Sequence, residues 1–336
     1  MLNIPQPYLL FLGDVTEPRY AKTAFGLRDW AAELCVGELA LPAATVSTGL
    51  PSITPAEAAK RGARSVVIGI ANRGGILAPE WIPSLVACME AGLDLVSGMH
   101  SRLAQHAEIK GAADRLGRRL IDVRTPPPDV RIGTGEKRSG KRLLTVGTDC
   151  ALGKKYTALT LTRAFRRRGI SADFRATGQT GILIAGSGMP IDAVVADFVA
   201  GAAEMLSPPA PATHWDVVEG QGSIFHPSYS GVSLGLLHGT QPDVIVVCHE
   251  VGRDHVMGLD TYPTPSLREA IDLHLQLARR TNSRARCAGV SLNTAALDEQ
   301  AAAQVLAEQS EQLSRPVADP IRGGAELDRL VDACLA

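Results

Sequence analysis

A glycine-bounded loop between an apolar segment and a helical segment constrains the fold of this chain most. The run Arg142–Val146 predicts a buried strand, and Lys154–Arg168 predicts a helix. Between them lies the sequence GTDCALGKK, in which five residues separate Gly147 from Gly153. In such loops successive backbone N–H groups and the helix N-terminus surround an anion, and a lysine adds positive charge. The loop therefore predicts a strand–loop–helix unit that binds phosphate.

The residue after the lysine indicates which phosphate chemistry to expect. A nucleotide hydrolase has Ser or Thr at that position to hold Mg²⁺, whereas this chain has Lys155. We therefore expect the loop to bind a phosphate group that anchors the ligand and takes no part in the reaction. No metal is expected, although the sequence does not decide whether Mg²⁺ binds. The residues predicted to bind the cofactor are Gly147, Thr148, Asp149, Cys150, Gly153, Lys154 and Lys155.

Composition limits the classes of protein that this chain can belong to. Its 336 residues suffice for two domains, and a net charge of −1 gives no argument for nucleic-acid binding. The sequence has no apolar signal core and no apolar run of transmembrane length. The six cysteines are scattered without a C-x-x-C pair. We expect reduced thiols in a cytoplasmic enzyme that acts on a small molecule, without nucleic-acid or membrane partners.

Apolar runs alternate with helical segments along both halves of the chain. This alternation predicts parallel sheets covered by helices, that is, an α/β protein with a Rossmann-like N-terminal sheet and a C-terminal three-layer P-loop domain. A proline run at 126–128 and a polar, glycine-rich stretch interrupt the pattern. The predicted boundaries are 1–130 for the first domain, 131–140 for a linker and 141–336 for the second domain. A single helix is predicted across 191–202 from an apolar stripe with helical spacing.

Polar, glycine-rich clusters follow several predicted strands. In open parallel sheets ligands bind beyond the carboxyl ends of the strands, so these clusters are candidate site residues. The stretch VEGQGSIFHP supplies Glu219, Gln221 and His226. Glycine turns, helix capping and surface polarity are the alternative interpretations of these clusters.

Further candidates follow three other predicted strands. Arg175, Gln179 and Thr180 are predicted to bind substrate, since a guanidinium pairs with carboxylates. His249, Glu250 and Arg253 form a third cluster that lacks the H-E-x-x-H spacing of a zinc site. Of these, His249 and Arg253 are predicted to bind substrate, as is Gln221. Arg73 is predicted to reach the substrate from the first domain.

Four motifs in order resemble one known family. The stretches GTDCALGKK, ATGQTGILIAG, PIDAVVADFVAGAAE and VEGQGSIFHPSYSG resemble a family that was long catalogued as a domain of unknown function. The first of these is also similar to the phosphate loop of dethiobiotin synthetase. Characterised members of the resembled family are D-glutamate N-acetyltransferases, which act ahead of an N-acetyl-amino-acid racemase. The resemblance covers nearly the whole chain and implies a Rossmann-like domain followed by a P-loop domain, with acetyl-CoA as co-substrate.

The residues themselves suggest roles in such a reaction. Acyl transfer needs a base for the amine and hydrogen-bond donors for the thioester oxygen. We expect Glu219 or His226 as base, supported by Glu250, and backbone N–H groups near Gly220 and Gly222 as donors. An acyl-cysteine route through Cys150 is a less favoured alternative.

Two other functions stay open at this point. One is an ATP-dependent, carboxylate-activating ligase resembling dethiobiotin synthetase, which Lys155 disfavours. The other is a non-catalytic nucleotide sensor. The sequence does not decide the acceptor amino acid, and an Ala/Val-rich helical surface is compatible with a homo-oligomer.

Overall fold

The computed structural model describes residues 3–72 and 75–336. Its strands are β1 (Tyr8–Gly13), β2 (Cys35–Ala40), β3 (Ser65–Ile68), β4 (Asp94–Ser97), β5 (Leu120–Asp122), β6 (Lys141–Gly147), β7 (Ala172–Arg175), β8 (Trp215–Val218), β9 (Val244–Glu250), β10 (His255–Val256), β11 (Leu259–Pro263), β12 (Arg286–Asn293) and β13 (Val317–Ala318). Its α-helices are α1 (Lys22–Trp30), α2 (Pro55–Lys60), α3 (Ile82–Glu90), α4 (Ala107–Leu116), α5 (Lys154–Arg167), α6 (Gln179–Ala185), α7 (Val199–Leu206), α8 (Ser230–Thr240), α9 (Leu267–Ala278), α10 (Glu299–Leu313) and α11 (Gly324–Leu335).

The chain divides into two compact units whose boundaries are interleaved. The first unit comprises Met1–Pro127 together with Gln179–Pro190, and the second comprises Pro128–Gly178 together with Ile191–Ala336. The segment that carries α6, which the sequence analysis assigned to the second domain, thus packs with the first unit.

The first unit contains a parallel sheet. Within the described residues its strand order is β2-β1-β3-β4-β5. The first strand is fully buried, and Phe11 meets the Trp81 ring edge-on at 5.9 Å. A capping box begins α2, since Thr54 and Glu57 exchange hydrogen bonds. β2 was not predicted from the sequence, because its CVGELA segment is only partly buried and lacks a clear apolar period.

The second unit is built on a six-stranded sheet that places the phosphate loop at its centre. Its order in the described chain is β13-β12-β9-β6-β8-β7, and all neighbours are parallel. Because β6 lies between β9 and β8, the loops after these three strands emerge at one edge. This edge is where ligands bind in open α/β sheets.

A buried core fixes the position of β6 and α5. Phe165 of α5 packs edge-on against Trp215 of β8 at 5.4 Å. At the other end of β6, Arg142 is only 1% exposed and donates to Ser207 Oγ at 2.7 Å and to the carbonyl of Pro208 at 3.0 Å. These bonds satisfy a guanidinium that would otherwise be costly to bury.

Two local predictions differ from the structure. The single helix predicted across 191–202 is wrong: short 3₁₀ turns cover Ile191–Ala193 and Ala196–Phe198, and α7 begins only at Val199. Val195 has an extended backbone and an exposed side chain, so it interrupts the apolar stripe. The small antiparallel hairpin of β10 and β11 after β9 was not predicted, because its strands are short and mostly exposed.

Residues 131–140 form no helix or strand, but they are held against the second unit. The N–H groups of Thr134 and Gly135 donate to the Glu204 carboxylate at 3.0 Å. Arg138 donates to the carbonyls of Ser207 and Gly239 at 2.8 and 2.9 Å. This stretch is therefore an ordered part of the second unit. Among the described residues no helix combines the length and apolar character needed to cross a membrane.

Candidate functional site

The loop between β6 and α5 presents a row of backbone donors. Ala151 and Gly153 both have positive φ, at 56° and 105°, which turns consecutive N–H groups toward one side. In the part of the chain that the structure describes, the N–H groups of residues 150–154 donate to no protein acceptor. Such a nest at a helix N-terminus is suited to bind phosphate.

Lys154 lies inside this loop. Its side chain is buried, and Nζ donates to the Asp149 carbonyl at 2.7 Å. Burial lowers the pKa of Lys154, while neighbouring acidic groups, including Asp149 and Glu219, oppose that effect. The ammonium is thus held next to the free N–H groups.

The loop lacks the hydroxyl that holds Mg²⁺ in nucleotide hydrolases. Lys155 occupies that position, and its Nζ lies 4.5 Å from the centre of the Tyr156 ring. Thr157 is the next Ser or Thr hydroxyl along α5, but it is buried and bonded to the Gly153 carbonyl at 3.1 Å and to Ser291 Oγ at 2.8 Å. Thr157 therefore does not replace the missing metal ligand.

The hydroxyl of Thr145 joins the start of α5 to the loop after β8. It donates to the Lys154 carbonyl at 3.2 Å and accepts the N–H of Gly220 at 3.0 Å. Glu219, the residue before Gly220, is thereby brought next to the phosphate loop.

Glu219 is a buried carboxylate with one oxygen engaged. It is 4% exposed, and its Oε2 accepts the N–H groups of Thr177 and Gly178 at 3.0 and 3.1 Å. Its Oε1 accepts no hydrogen bond from any described residue. Burial raises the pKa of Glu219, against the opposing charge of Lys155, the two N–H donors and Lys154. A carboxylate with a raised pKa and an open oxygen is suited to accept a proton near neutral pH.

The loop that follows Glu219 presents further backbone donors. Gly222 has a φ of 53°, and the N–H groups of Gln221 and Gly222 donate to no acceptor within residues 3–72 and 75–336. The Gln221 side chain donates to Thr177 Oγ1 at 2.9 Å. The N–H of Gly220, expected among the oxyanion donors, is instead occupied by Thr145.

Asp149 connects the phosphate loop to the hairpin of β10 and β11. Its Oδ2 accepts from Arg253 Nη1 at 2.9 Å and from the N–H of Met257 at 2.8 Å. Its Oδ1 is buried and accepts no hydrogen bond in the described structure. Asp149 therefore holds the hairpin while one of its oxygens is unpaired.

His226 presents a donor toward the same region. The Ser228 N–H donates to its Nδ1 at 3.1 Å, so the proton of the neutral ring is on Nε2, which lies 3.3 Å from the Met257 carbonyl. The ring packs against Tyr229 at 4.3 Å. In this tautomer the ring has no lone pair on Nε2 with which to act as a base.

Two groups of side chains in the described chain have the spacing of metal ligands. Asp149, Cys150 and His226 place one ligand atom each within 4.8 Å of the others, but Nε2 of His226 is protonated in the neutral ring. Asp173, His214 and Asp216 form the second group. That group already contains a cation, because Arg175 Nε donates to Asp216 Oδ1 at 2.7 Å. Neither arrangement favours a metal.

The predicted cluster after β9 is held together by its own charges. Arg253 pairs with Glu250 as well as with Asp149, so both of its Nη atoms bind protein carboxylates. His249 Nδ1 lies 2.8 Å from Thr148 Oγ1, and burial lowers the pKa of His249. These contacts order the rim of the phosphate loop.

The remaining predicted residues make other contacts in the described structure or lie outside it. Arg175 pairs with Asp216 and Asp173, and its guanidinium makes no hydrogen bond or ion pair with the phosphate loop in the described part of the second unit. Gln179 and Thr180 begin α6 in the first unit, where Gln179 approaches Gly98: a Cβ on that glycine would be 2.0 Å from Gln179 Oε1. Arg73 lies outside the described residues.

Three residues that shape the site were not predicted from the sequence. Thr145 is a lone hydroxyl in an apolar strand, a signal that was available in the sequence. Thr177 and Met257 contribute backbone N–H groups, so their residue types give no signal of this role.

Comparisons with known proteins match this chain over nearly its whole length. Residues 131–331 match the family described as "Domain of unknown function (DUF1611_C) P-loop domain", and residues 35–126 match "Domain of unknown function (DUF1611_N) Rossmann-like domain". A D-glutamate N-acetyltransferase from Pseudoalteromonas sp is 47% identical over 97% of this chain and 98% of its own. Another from Tritonibacter scottomollicae is 49% identical over 99% of both chains. A crystal structure of a DUF1611 family protein from Anabaena variabilis is 33% identical, with a TM-score of 0.84 over 98% of each chain.

Proposed function

This chain belongs to the DUF1611 family and is an acyltransferase, and from that premise we propose that it transfers acetyl from acetyl-CoA to the amine of D-glutamate. The observation that carries the proposal is its 47% and 49% identity, along nearly the full length, to two D-glutamate N-acetyltransferases. The site in the second unit supports it with chemistry suited to each part of the reaction.

The phosphate loop is the proposed site for the coenzyme's phosphates. Coenzyme A carries a pyrophosphate and a 3′-phosphate, and the N–H groups of residues 150–154 offer donors to such anions. Lys154 adds a charge inside the loop, and Lys155 adds another at its end. No phosphoryl group is transferred in this reaction, so the loop has no need for the metal-binding hydroxyl that Lys155 replaces.

Glu219 is the proposed general base. The amine of the acceptor forms a bond to the acetyl carbonyl carbon, the carbon–sulfur bond breaks, and coenzyme A leaves as the thiolate. Glu219 accepts the proton that the amine loses, through the oxygen that carries no hydrogen bond in the described structure. The N–H groups of Gln221 and Gly222 supply the proposed donors to the thioester oxygen as charge develops on it.

Direct transfer is favoured over an acyl-cysteine intermediate. Burial raises the pKa of Cys150, which keeps its thiol protonated and weakens it as a nucleophile. His226, the nearby imidazole, carries its proton on the nitrogen that would have to accept one. Glu219 and the amine require no such intermediate.

His249 and Gln221 are the proposed polar contacts for the acceptor. His249 lies near the end of β9 and Gln221 follows β8, the two strands that flank β6, and both residues are only partly buried. We propose that Arg253 orders this region and does not bind a carboxylate of the substrate, because Asp149 and Glu250 already occupy its Nη atoms.

An acetyl-transfer assay tests the function directly. Purified protein is supplied with acetyl-CoA and a panel of D- and L-amino acids without ATP, and thiol release is measured together with the mass of the product. Release of thiol with D-glutamate, and formation of N-acetyl-D-glutamate, is expected. In a parallel assay that contains ATP and a carboxylic acid, ADP formation without any thiol release in the first assay would instead establish the ligase alternative.

A further inference from the structure

A small cavity borders the loop that supplies the proposed donors to the thioester oxygen. It is partly enclosed and offers about 10 Å³ to the centre of a water-sized sphere, which is room for a single small group. Its walls come from β6, the loop after β8, α8 and α9. Leu144 and Val146 of β6 and Leu236 of α8 give it apolar surface. A cavity of this size and lining suits one small apolar group.

The cavity adjoins three parts of the proposed active site. Gln221 and Gly222 line it, and their N–H groups are the proposed donors to the thioester oxygen. Gly220, which directly follows Glu219, and Gly147, the first glycine of the phosphate loop, line it as well. A carbonyl group held by these donors therefore lies at the border of the cavity.

The hydroxyl groups in the cavity wall already have partners. The hydroxyls of Thr145 and Ser223 donate to backbone carbonyls at 3.2 and 3.0 Å. Ser233 Oγ donates to the Gln221 carbonyl at 2.8 Å. Because these donors are paired with the backbone, an apolar occupant leaves none of the three hydroxyls without a hydrogen bond.

The walls are also fixed in place. A Cβ on Gly222 would be 2.8 Å from Ser233 Oγ, and a Cβ on Gly220 would be 1.8 Å from the Thr145 carbonyl oxygen. On the side of α9, His274 Nδ1 lies 2.7 Å from a carbonyl of the preceding helical turn. Close packing of this kind resists expansion, so a longer group meets strain in the cavity.

Resting on the proposed function, we propose that this cavity receives the methyl group of the acetyl donor and that Leu236 limits the length of the acyl chain. The methyl group and the thioester oxygen are bonded to the same carbonyl carbon. When the N–H groups of Gln221 and Gly222 hold the oxygen, the methyl group therefore lies beside the residues that line the cavity. A propionyl group has one carbon more than this space accommodates. Leu236 is thus a specificity-determining residue that takes no part in making or breaking bonds.

Leu236→Ala removes part of the wall and should admit a longer acyl chain. The wild type is expected to use propionyl-CoA about 10–200-fold less efficiently than acetyl-CoA, the usual effect of one methylene in a closely fitting pocket. Leu236→Ala should raise the ratio of kcat/KM for propionyl-CoA to kcat/KM for acetyl-CoA by about 10-fold or more. Leu236→Val should raise it less, and it keeps the test decisive if the alanine variant does not fold.

Leu237→Ala and Leu237→Val are the matched controls. Leu237 is the neighbouring leucine of α8, is also buried, and forms no part of the cavity wall in the described structure. These variants should lose stability but leave the ratio unchanged. Because the ratio compares two donors on one protein sample, a smaller fraction of folded enzyme cancels, and circular dichroism verifies that each variant is folded.

A binding measurement gives a second readout that needs no turnover. Calorimetric titration without acceptor compares the Kd values of coenzyme A, acetyl-CoA and propionyl-CoA. The Leu236 variants should bind propionyl-CoA more tightly relative to acetyl-CoA than the wild type does. Their Kd for coenzyme A, which carries no acyl group, should be unchanged.

The outcomes separate the inference from the function on which it rests. Acetyl transfer with an unchanged propionyl-to-acetyl ratio in both Leu236 variants would overturn the acyl cavity and leave the proposed function intact. An equal rise of the ratio in the Leu237 variants would overturn it too, since general loosening of α8 would then be the cause. Absence of acetyl transfer in the wild type would remove the proposed function itself.

Discussion

Gly220 lies against the carbonyl of Thr145 so closely that a Cβ on the glycine would be 1.8 Å from that oxygen. The same Cβ would be 3.0 Å from Lys154 Cδ. Backbone cannot yield as a flexible side chain does, so this contact requires glycine. It sets the distance between the proposed base and the phosphate loop.

Gly220→Ala is therefore expected to destabilise the protein and to displace the loop. Forcing a methyl group into this contact should cost about 1–3 kcal/mol of the free energy of unfolding. Thermal and urea denaturation measure the loss. Gly231→Ala is the matched control, because that glycine lies in α8 with nothing within 4 Å of its Cβ, and alanine there should stabilise by about 0.5–1 kcal/mol.

Lys154→Met should weaken coenzyme binding more than it slows the bound complex. Methionine preserves much of the buried stem but removes a charged donor worth about 1.5–3 kcal/mol, which corresponds to roughly a 10–100-fold loss of affinity. The measurements are KM and Kd for acetyl-CoA. Lys60→Met, at an exposed position of α2, should change neither. An unchanged KM in Lys154→Met would contradict the placement of the coenzyme.

Glu219→Gln should lower kcat by about 10²–10⁴-fold, as expected for loss of a general base. Steady-state kinetics at saturating acetyl-CoA and D-glutamate measure the effect, while the Kd for coenzyme A reports whether the loop is intact. If kcat stays within threefold of the wild type, another group is the base.

The same substitution has a pH-dependent effect on stability. Because burial raises the pKa of Glu219 above its ordinary value of 4.5, the folded state binds the proton more tightly than the unfolded state. This contribution is fully present below the unfolded pKa and is lost as pH rises through the folded pKa. The Tm of Glu219→Gln relative to wild type should therefore rise from pH 4.5 toward pH 8. A difference that is flat or falls with pH would show that burial does not raise this pKa.

Ala151 has a left-handed backbone, with a φ of 56°, and its side chain is exposed. Valine, a β-branched residue, adopts this conformation less readily, so Ala151→Val should cost about 1 kcal/mol and lower Tm by roughly 2–4 °C. Ala151→Gly should leave Tm nearly unchanged, since relief of strain is offset by a more flexible unfolded chain. Equal Tm values for the two variants would argue against this loop conformation.

Cys150 should carry no acetyl group during turnover. Intact-protein mass spectrometry after mixing with acetyl-CoA in the absence of acceptor is expected to give the unmodified mass. A gain of one acetyl group at Cys150 would establish the acyl-enzyme route.

The parts of this molecule that follow from local sequence were predictable. The two parallel sheets, the phosphate loop and the capping box of α2 each depend on spacing within a few residues. The side-chain partners of Arg253 and Arg175 were not predictable, because a guanidinium pairs equally well with a ligand carboxylate or a protein one. Which occurs depends on Asp149 and Asp216, whose positions only the folded sheet determines.

The tautomer of His226 could not be predicted from the sequence either. A histidine after a strand is compatible with base, donor or ligand roles, and the choice depends on what the other ring nitrogen contacts. Here the backbone N–H of Ser228 donates to Nδ1 of His226, which places the proton of the neutral ring on Nε2. The sequence identifies His226 as a candidate site residue, whereas the local turn determines which ring nitrogen carries the proton.

The membership of α6 in the first unit determines where the chain can be divided into fragments. The Tyr8 hydroxyl donates to the Leu183 carbonyl, and the Ile4 N–H donates to that of Gly186, so residues 179–190 complete a fold that begins at the other end of the chain. Expression of the first 130 residues alone would yield a polypeptide without one of its own helices. A fragment that starts at 131 would carry that helix without Ile4 and Tyr8, to which its segment is hydrogen-bonded. A fragment intended to contain the whole first unit must therefore include residues 179–190.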